Sequence, residues 1–281
     1  ADILRVWVTA SDYSEDLRID YSILEQHAEA YRKIRNTFRY LLGNINDNFE
    51  PVDLEKLEIK NLPELERFIL HKIYILDQNF KKYFSNYDFH NLYKELLNFC
   101  TVDLSAFYFD IRKDCLYCDS KDSEKRKSVI LTLKVILDSL LKWFAPILSF
   151  TTEEIFRLIN KDKKSIHLEN FLDFPEKLKD EVLNMKWSEL IKIRDICNLS
   201  IEQKRAEKTI GSSLEASLKI KLNKENLKLS KGIDFSEICI TSSAFVEKND
   251  NSEIEVETLK AKGNKCPVCW KISEKPCERH G

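Results

Sequence analysis

YSILEQHAEAYRKIRNTFRYLL, residues 21–42, has the hydrophobic period of a long amphipathic helix. Its apolar residues recur every three or four positions and form one face: Leu24, Tyr31, Ile34, Phe38 and Leu41. A second face carries basic residues at the same spacing: Arg32, Arg35 and Arg39. The stretch therefore predicts a helix that packs its apolar face against a core and presents a row of arginines on another side.

The same period continues toward the C terminus. Four further helices are predicted, at about 63–84, 88–113, 122–144 and 181–207. Pro63 suits the first turn of a helix, where its missing N–H costs nothing. Thr151 or Thr152 is expected to cap a shorter helix with its hydroxyl group. Residues 160–180 show no period, so we expect them to be irregular.

The character of the sequence changes after Gly211. Alternating or β-rich stretches follow: LEASLKIKL (214–222), FSEICITSSAFV (235–246) and SEIEVETLKAK (252–262). They predict two or three strands in a small lobe of mixed structure. The expected fold class is mainly α, with a helix bundle, then a small α/β lobe and a C-terminal zinc knuckle.

These changes of character divide the chain into four expected parts. A short segment occupies 1–20, a helical domain 21–210, the small α/β lobe 211–262 and a metal-binding module 263–281. The chain begins with Ala1, and ADILRVWV reads like the interior of a domain. We therefore expect this sequence to be a piece of a longer protein whose N-terminal part is missing.

The composition is that of a globular domain and carries no overall basic bias. Of 281 residues, 43% are hydrophobic and 33% charged, with a net charge of −2. Contact with a nucleic acid would therefore depend on local basic patches. The eight cysteines are too few for a disulfide scaffold, and no secretory leader precedes them, so a cytoplasmic location is expected. Charged residues interrupt the most apolar run, 129–150, which favours a buried helix over a membrane span.

KCPVCWKISEKPCERHG, residues 265–281, combines two pairs of metal-binding residues. Cys266 and Cys269 form one pair with two residues between them, and Cys277 and His280 form another. Three thiolates and one imidazole can hold zinc tetrahedrally, and the closed ligand set would make the zinc structural. The alternative is free surface cysteines. CLYC, residues 115–118, has the same spacing but no second pair nearby, so its thiols are expected to be ordinary and partly buried.

The tail also has the charge and an aromatic residue suited to RNA. Residues 258–281 contain six Lys or Arg and two Glu, a formal charge of +4. Trp270 stands beside the second cysteine, where it could stack on a base. The alternative is that its ring packs over the metal knuckle.

Three segments resemble the C-terminal half of bacterial-type isoleucyl-tRNA synthetases: AYRKIRNTFRYLLGNI (30–45), NFCTVDLSAFYFDIRKDCLYCD (98–119) and IRDICNLSIEQKRAEKTIGSSLEA (193–216). KCPVCW resembles the C-terminal zinc module of that family. ADILRVWVTASDYSEDLRI resembles the end of its catalytic region, which contacts the tRNA stem. The resemblance covers essentially the whole chain, in order.

The resemblance implies a bundle that binds the anticodon stem and loop of tRNA-Ile, followed by a small lobe and the zinc module. It also implies that the full-length enzyme, expected to be a monomer, attaches isoleucine to this tRNA with ATP and Mg²⁺. No His-Ile-Gly-His or Lys-Met-Ser-Lys-Ser segment occurs here. This chain alone is therefore expected to bind and not to catalyse.

Together with local spacing, the resemblance marks candidate tRNA contacts. The first group lies on the helix at 21–42: Arg32, Arg35, Asn36 and Arg39. The second lies where the helix at 181–207 ends: Lys204, Arg205 and Lys208. Trp270 completes the set. An ordinary solvated helix face is the alternative for the first group, and Arg112 and Lys113 are expected to be surface charges.

The chain departs from the family at the metal module and in one helix. The family usually ends in a second Cys-x2-Cys pair after a longer insert, whereas here the insert is short and His280 takes the last place. Val268 and Cys115 occupy positions where the family commonly has Arg. Two alternatives belong to other classes of protein: a free-standing helical adaptor with a zinc knuckle, and a hydrolase using Cys277 and His280. Cys277 and His280 suit metal ligation better than the roles of nucleophile and base.

Overall fold

The structure is a computed structural model that describes residues 1–14, 16–45, 49–160, 164–249 and 253–281. Contacts divide the chain into two compact units. The first unit comprises residues 1–112 and 120–180, and the second comprises 113–119 and 181–281. Helices dominate the described residues, and a small sheet follows them, so the expected mainly α fold class is confirmed.

The first unit is built from helices joined by short connections. They are α1 (Asp2–Ala10), α2 (Tyr21–Ile45), α3 (Glu64–Ser85), α4 (Phe89–Asn98), α5 (Asp110–Cys118), α6 (Glu124–Phe144) and α7 (Ser149–Ile159). Residues 113–118 of α5 group with the second unit. Short 3₁₀ turns lie at Ile59–Asn61, Ile166–Leu168 and Glu176–Leu178. The helices predicted at 21–42, 63–84 and 122–144 are thus confirmed to within a few residues.

Aromatic side chains fill the core of the first unit around α6. Trp143 and Phe144, at the end of this helix, are almost completely buried. The Phe144 ring meets Phe38 of α2 edge-on with the centroids 6.1 Å apart, and the Trp143 ring lies 5.9 Å from Phe80 of α3. The apolar face predicted for α2 therefore packs inward, which leaves the opposite side of that helix for solvent.

The predicted helix at 88–113 is a longer helical run with a widened middle. Between α4 and α5 the backbone adopts a π-helix over Phe99–Phe109. Just beyond it, Arg112 is buried and donates from Nε and Nη2 to the two carboxylate oxygens of Glu66, both at 2.6 Å. The Tyr108 hydroxyl also donates to Glu66, at 3.1 Å. The expectation that Arg112 is a surface charge is therefore wrong, because its partner lies on α3, far away in the sequence.

A side chain of α1 caps the start of α7, where a threonine was expected to act as the cap. α7 begins at Ser149, before Thr151 and Thr152, so neither residue occupies the capping position. The Asp2 carboxylate instead accepts from the backbone N–H of Thr151 at 2.8 Å and from its hydroxyl at 2.6 Å. Arg5 donates to the carbonyl oxygen of Ile147 at 2.9 Å. Polar side chains of α1 thus satisfy backbone groups around the start of α7.

The second unit packs one long helix against a three-stranded sheet. The helices are α8 (Glu181–Ala206), α9 (Lys224–Leu229) and α10 (Phe235–Ile238), with a 3₁₀ turn at Ser213–Glu215. The strands are β1 (Ala216–Leu222), β2 (Ser243–Lys248) and β3 (Glu255–Lys260), in the order β2-β1-β3. β1 is parallel to β2 and antiparallel to β3. The helix predicted at 181–207 and the prediction of two or three strands are confirmed. Residues 235–238 of the second β-rich stretch form α10 instead, and residue 252 of the third lies outside the described residues.

The burial pattern along β1 shows that one side of the sheet is covered. Alternate residues of β1 are buried, namely Ala216, Leu218, Ile220 and Leu222. Residues between them face outward, as expected for a sheet with one covered side. The Ser200 hydroxyl of α8 lies 2.7 Å from that of Thr258 on β3. α8 therefore groups with the sheet by its contacts, while the domain limits given by the sequence stay a prediction.

Among the described residues, none of the helices combines the length and the apolar character needed to cross a bilayer.

Candidate metal centre and nucleic-acid interface

A short hairpin at the end of the second unit presents the first pair of cysteines. Its strands, β4 (Asn264–Lys265) and β5 (Ile272–Ser273), pair in antiparallel register. The Cys266 N–H donates to the Lys271 carbonyl at 2.9 Å, and the Trp270 N–H donates to the Cys266 carbonyl at 3.0 Å. These bonds close a tight turn, so the Cys266 and Cys269 side chains converge.

Gly263 permits the close approach of the two strands. It has a φ of +115°, and a Cβ atom at this position would lie 2.2 Å from the backbone of Ser273. Only glycine fits this position without displacing the neighbouring strand. The hairpin that carries Cys266 and Cys269 therefore depends on it.

The second pair forms a tight turn of its own. The His280 N–H donates to the Cys277 carbonyl at 3.2 Å, and the Gly281 N–H donates to the same oxygen at 2.9 Å. The turn directs the Cys277 thiol and the His280 ring toward the first pair. The sulfur and nitrogen atoms of all four residues lie within 4.8 Å of one another.

The distances between these atoms match a tetrahedral site. With Zn–S bonds of about 2.3 Å, two sulfur ligands at tetrahedral corners would lie about 3.8 Å apart. The Sγ atoms of Cys269 and Cys277 are 3.8 Å apart, and His280 Nδ1 lies 3.5 Å from Cys266 Sγ and 3.3 Å from Cys277 Sγ. None of the eight cysteines, which all lie within the described residues, forms a disulfide bond. The four residues that the sequence singled out therefore form a cluster that could hold one metal ion.

Backbone N–H groups lower the pKa of two of the thiols. The N–H groups of Cys269 and Val268 point at Cys266 Sγ and lower the pKa of this thiol to about 6. The N–H groups of Arg279 and His280 lower the pKa of Cys277 in the same way. Burial raises the pKa of Cys269. Because the thiolate is the ligating form, the two turns favour the state that binds metal.

The end of α5 contacts this cluster, which the sequence did not reveal. His280 Nε2 lies 2.9 Å from the carbonyl oxygen of Cys118, the last residue of the helix. The Arg279 guanidinium donates to the carboxylates of Asp114 and Asp119. More than 150 positions separate these partners in the sequence, so no local pattern could have indicated them. Cys115 and Cys118 contribute no ligand atom to the cluster, as expected for ordinary thiols.

Trp270 projects from the first turn into solvent. The Lys265 ammonium group lies 5.1 Å from the centroid of its ring. Trp270 is 58% exposed. Its φ of +64° is a left-handed conformation, which is rare for a bulky side chain. Such strain at an exposed aromatic residue is a reason to suspect a functional contact.

The arginine row predicted on α2 is exposed along its whole length. Arg32, Arg35, Asn36 and Arg39 all face solvent, while Ile34 and Phe38 between them are buried. Arg32 pairs with Glu29, one turn earlier, and Arg35 donates weakly to the Tyr31 hydroxyl at 3.4 Å. We call these four residues the arginine row; they offer charged and polar donors along one side of a rigid helix.

The second basic group lies at the end of α8. Lys204 pairs with Glu207 at 2.8 Å and Arg205 with Glu202 at 2.7 Å. Lys208 follows in a left-handed conformation with a φ of +58°, the position that glycine usually fills after a helix. Both pairs are exposed, so an anionic ligand could compete with the glutamates for these cations.

Comparison with known proteins shows that the chain is similar in sequence to tRNA ligases. A profile of the family described as "Anticodon-binding domain of tRNA ligase" matches residues 66–221, more than half of the chain. The isoleucine–tRNA ligase of Pelagibacter ubique is 71% identical over 280 residues, which cover 100% of this chain and 31% of that protein.

More distant relatives give the same result. The isoleucine–tRNA ligase of Caldicellulosiruptor saccharolyticus is 42% identical and that of Agrobacterium fabrum 39% identical, each over 97% of this chain. The chain spans under a third of the length of these relatives. The alignment with the Pelagibacter protein takes in the arginine row and the metal cluster, which lie outside the region matched by the family profile.

Proposed function

Because the chain belongs to the family of tRNA ligase anticodon-binding domains, we propose that it binds the anticodon arm of tRNA-Ile as part of an isoleucine–tRNA ligase. The observation that carries this proposal is the exposed arginine row on a helix of a chain 71% identical to such a ligase. α2 is held rigidly by its buried face, so its cations keep a fixed spacing.

The arginine row suits the phosphates of the RNA stem. Guanidinium groups keep their charge at all physiological pH values and can bind a phosphate through two hydrogen bonds. Among the described residues, Arg39 has no carboxylate partner, so it can meet a phosphate without first breaking an ion pair. Lys204, Arg205 and Lys208 would add a second set of phosphate contacts.

A contact with an unstacked base would come from the metal module. Proteins stack unstacked anticodon bases on aromatic rings and read them by hydrogen bonds to their edges. Trp270 is exposed beside Lys265, so a base could stack on the ring while the ammonium group contacts a phosphate. The knuckle would hold the ring in a fixed position for this contact.

The metal proposed for the cluster is one structural zinc ion bound by Cys266, Cys269, Cys277 and His280. Thiolate and imidazole ligands favour zinc, and a set of four protein ligands leaves no position for a catalytic water. Zinc would substitute for the core that a tail of this size cannot form. The whole enzyme would be a cytoplasmic monomer that joins isoleucine to tRNA-Ile with ATP and Mg²⁺, whose binding belongs to a catalytic domain outside this chain.

The arginine row can be tested through the salt dependence of tRNA binding. Each phosphate contact contributes roughly one unit to the slope of log K against log [salt]. Changing Arg32, Arg35 and Arg39 together to Ala should therefore weaken binding of tRNA-Ile and reduce the slope by about two to three units. Fluorescence anisotropy over a series of salt concentrations measures both quantities.

A matched control removes three other exposed cations of the first unit: Lys56, Lys60 and Arg157. It changes the net charge equally but should leave the slope within about half a unit of the wild-type value. An unchanged slope in the arginine-row variant would mean that these side chains are only solvated.

A further inference from the structure

The two ring nitrogens of His280 have different surroundings. Nδ1 faces the sulfur atoms of Cys266 and Cys277, at 3.5 and 3.3 Å. Nε2 lies 2.9 Å from the carbonyl oxygen of Cys118. A carbonyl oxygen can only accept a hydrogen bond, so Nε2 must carry the hydrogen. The neutral ring then has its lone pair on Nδ1, directed at the position where the four ligand atoms converge.

The Cys118 carbonyl is available because α5 ends there. The last carbonyl groups of a helix have no partner within the helix, and they form the negative end of its dipole. His280 Nε2 meets one of these groups. The Cys118 carbonyl thus gains a hydrogen-bond donor, and the same hydrogen bond orients the His280 ring.

Arg279 makes a second link from the same turn to α5. Its Nη1 and Nη2 donate to the two oxygens of Asp114 at 2.7 and 3.0 Å, and Nη1 also donates to Asp119 at 2.8 Å. Partial burial would raise the pKa of Asp114, but Arg279 outweighs it and holds that pKa below its ordinary value. The backbone N–H of Arg279 points at Cys277 Sγ. Arg279 therefore links the Cys277 ligand to the carboxylates of Asp114 and Asp119.

The first knuckle also touches this segment. The Cys118 thiol lies 3.9 Å from the carbonyl oxygen of Val268, within the turn that joins Cys266 and Cys269. Both pairs of ligands therefore lie against the same end of α5. With only seven residues between Cys269 and Cys277, the tail itself has little material to hold the two pairs together.

We propose that residues 114–119 form the outer shell of the metal centre, which fixes Nδ1 of His280 as the ligating nitrogen and holds the Cys277 turn in place. This inference rests on the metal centre proposed above. Asp114, Asp119 and Arg279 are positioning residues, since each acts through a ligand or its backbone. Partners that hydrogen-bond a metal ligand directly typically change metal affinity by 10–100-fold, and these side chains act one bond further out.

The test compares Arg279→Lys and the double variant Asp114→Asn/Asp119→Asn with the wild-type chain. No ligand is removed, so saturated protein should still hold one zinc ion per chain. The affinity for Zn²⁺, measured by competition with a chromophoric chelator, should fall by about tenfold in both variants, the lower end of the range for partners that bond a ligand directly. Arg157→Lys, which alters an exposed pair with Glu153 in the first unit, is the matched control and should bind zinc like the wild type.

Nitrogen-15 NMR of the zinc-loaded wild-type chain supplies an independent readout. Nδ1 of His280 should carry the metal-bound shift, and Nε2 should carry a hydrogen that exchanges slowly with solvent. In the Arg279→Lys and double variants that hydrogen should exchange faster. Wild-type zinc affinity in these variants, or ligation through Nε2, overturns the inference while the metal centre stands. A wild-type chain that binds no zinc overturns the metal centre and the inference together.

Discussion

Changing Arg112 to Ala is expected to reduce the free energy of unfolding of the first unit by about 3–5 kcal/mol. Glu66 is completely buried, and Arg112 supplies two hydrogen bonds of 2.6 Å to its carboxylate. Without the guanidinium group, the carboxylate loses this charged partner and keeps the neutral Tyr108 hydroxyl as a donor, at 3.1 Å. Leaving a charge buried without a counter-charge is among the most destabilising changes that a single substitution can make.

Hydrogen exchange of buried amides in α3 and α6 measures this loss within the first unit. Arg157→Ala is the control, because Arg157 is 68% exposed and its pair with Glu153 should contribute at most about 1 kcal/mol. The double variant Glu66→Gln/Arg112→Met should be less destabilised than Arg112→Ala, since it buries no unpaired charge. A loss below about 1 kcal/mol in Arg112→Ala would contradict the importance given to this pair.

Changing Cys266 to Ser is expected to remove the metal from the chain. Protein purified without chelator should contain about one zinc ion per chain, and the variant close to none, because the site loses one of its four ligands. Metal and protons compete for the same sulfur atoms, so the affinity of the wild type should also fall on acidification. Elemental analysis of the purified chains measures the stoichiometry.

Cys118→Ser is the matched control for this change. It replaces a thiol beside the cluster that supplies no ligand, and it keeps the backbone carbonyl that contacts His280. The control should therefore retain its zinc. Cys266→Ser should also lose part of its tRNA affinity while the helices of the first unit keep their fold. A wild-type chain without metal, or a His280→Ala variant that retains it fully, would refute the four-ligand assignment.

Features that depend on local spacing could be predicted from the sequence. The period of residues 21–42 fixes both faces of α2, since Ile34 and Phe38 must turn inward once the helix forms. The two pairs in the tail are likewise local, because a two-residue interval brings two ligands together in one tight turn. The sequence predicts that the two pairs meet because one tetrahedral ion takes four ligands.

Features that depend on distant partners could not be predicted. Arg112 looks like a surface residue until α3 brings Glu66 beside it, and Asp2 gives no sign that it will cap α7. Arg279 is similar, because its partners Asp114 and Asp119 lie on another element. In each case the tertiary fold decides the pairing, which local patterns in the sequence do not reveal.

Recognition of the anticodon arm of tRNA-Ile, the function proposed for this chain, can be measured by a binding titration with altered RNA. The purified, zinc-loaded chain would be titrated with tRNA-Ile and with the same tRNA carrying a different anticodon, at one fixed salt concentration. Hydrogen bonds to the edges of unstacked bases distinguish one base from another, and each such read-out is worth about 1–3 kcal/mol, so the altered tRNA should bind at least about tenfold more weakly. Equal affinity for the two RNAs would contradict the proposed function.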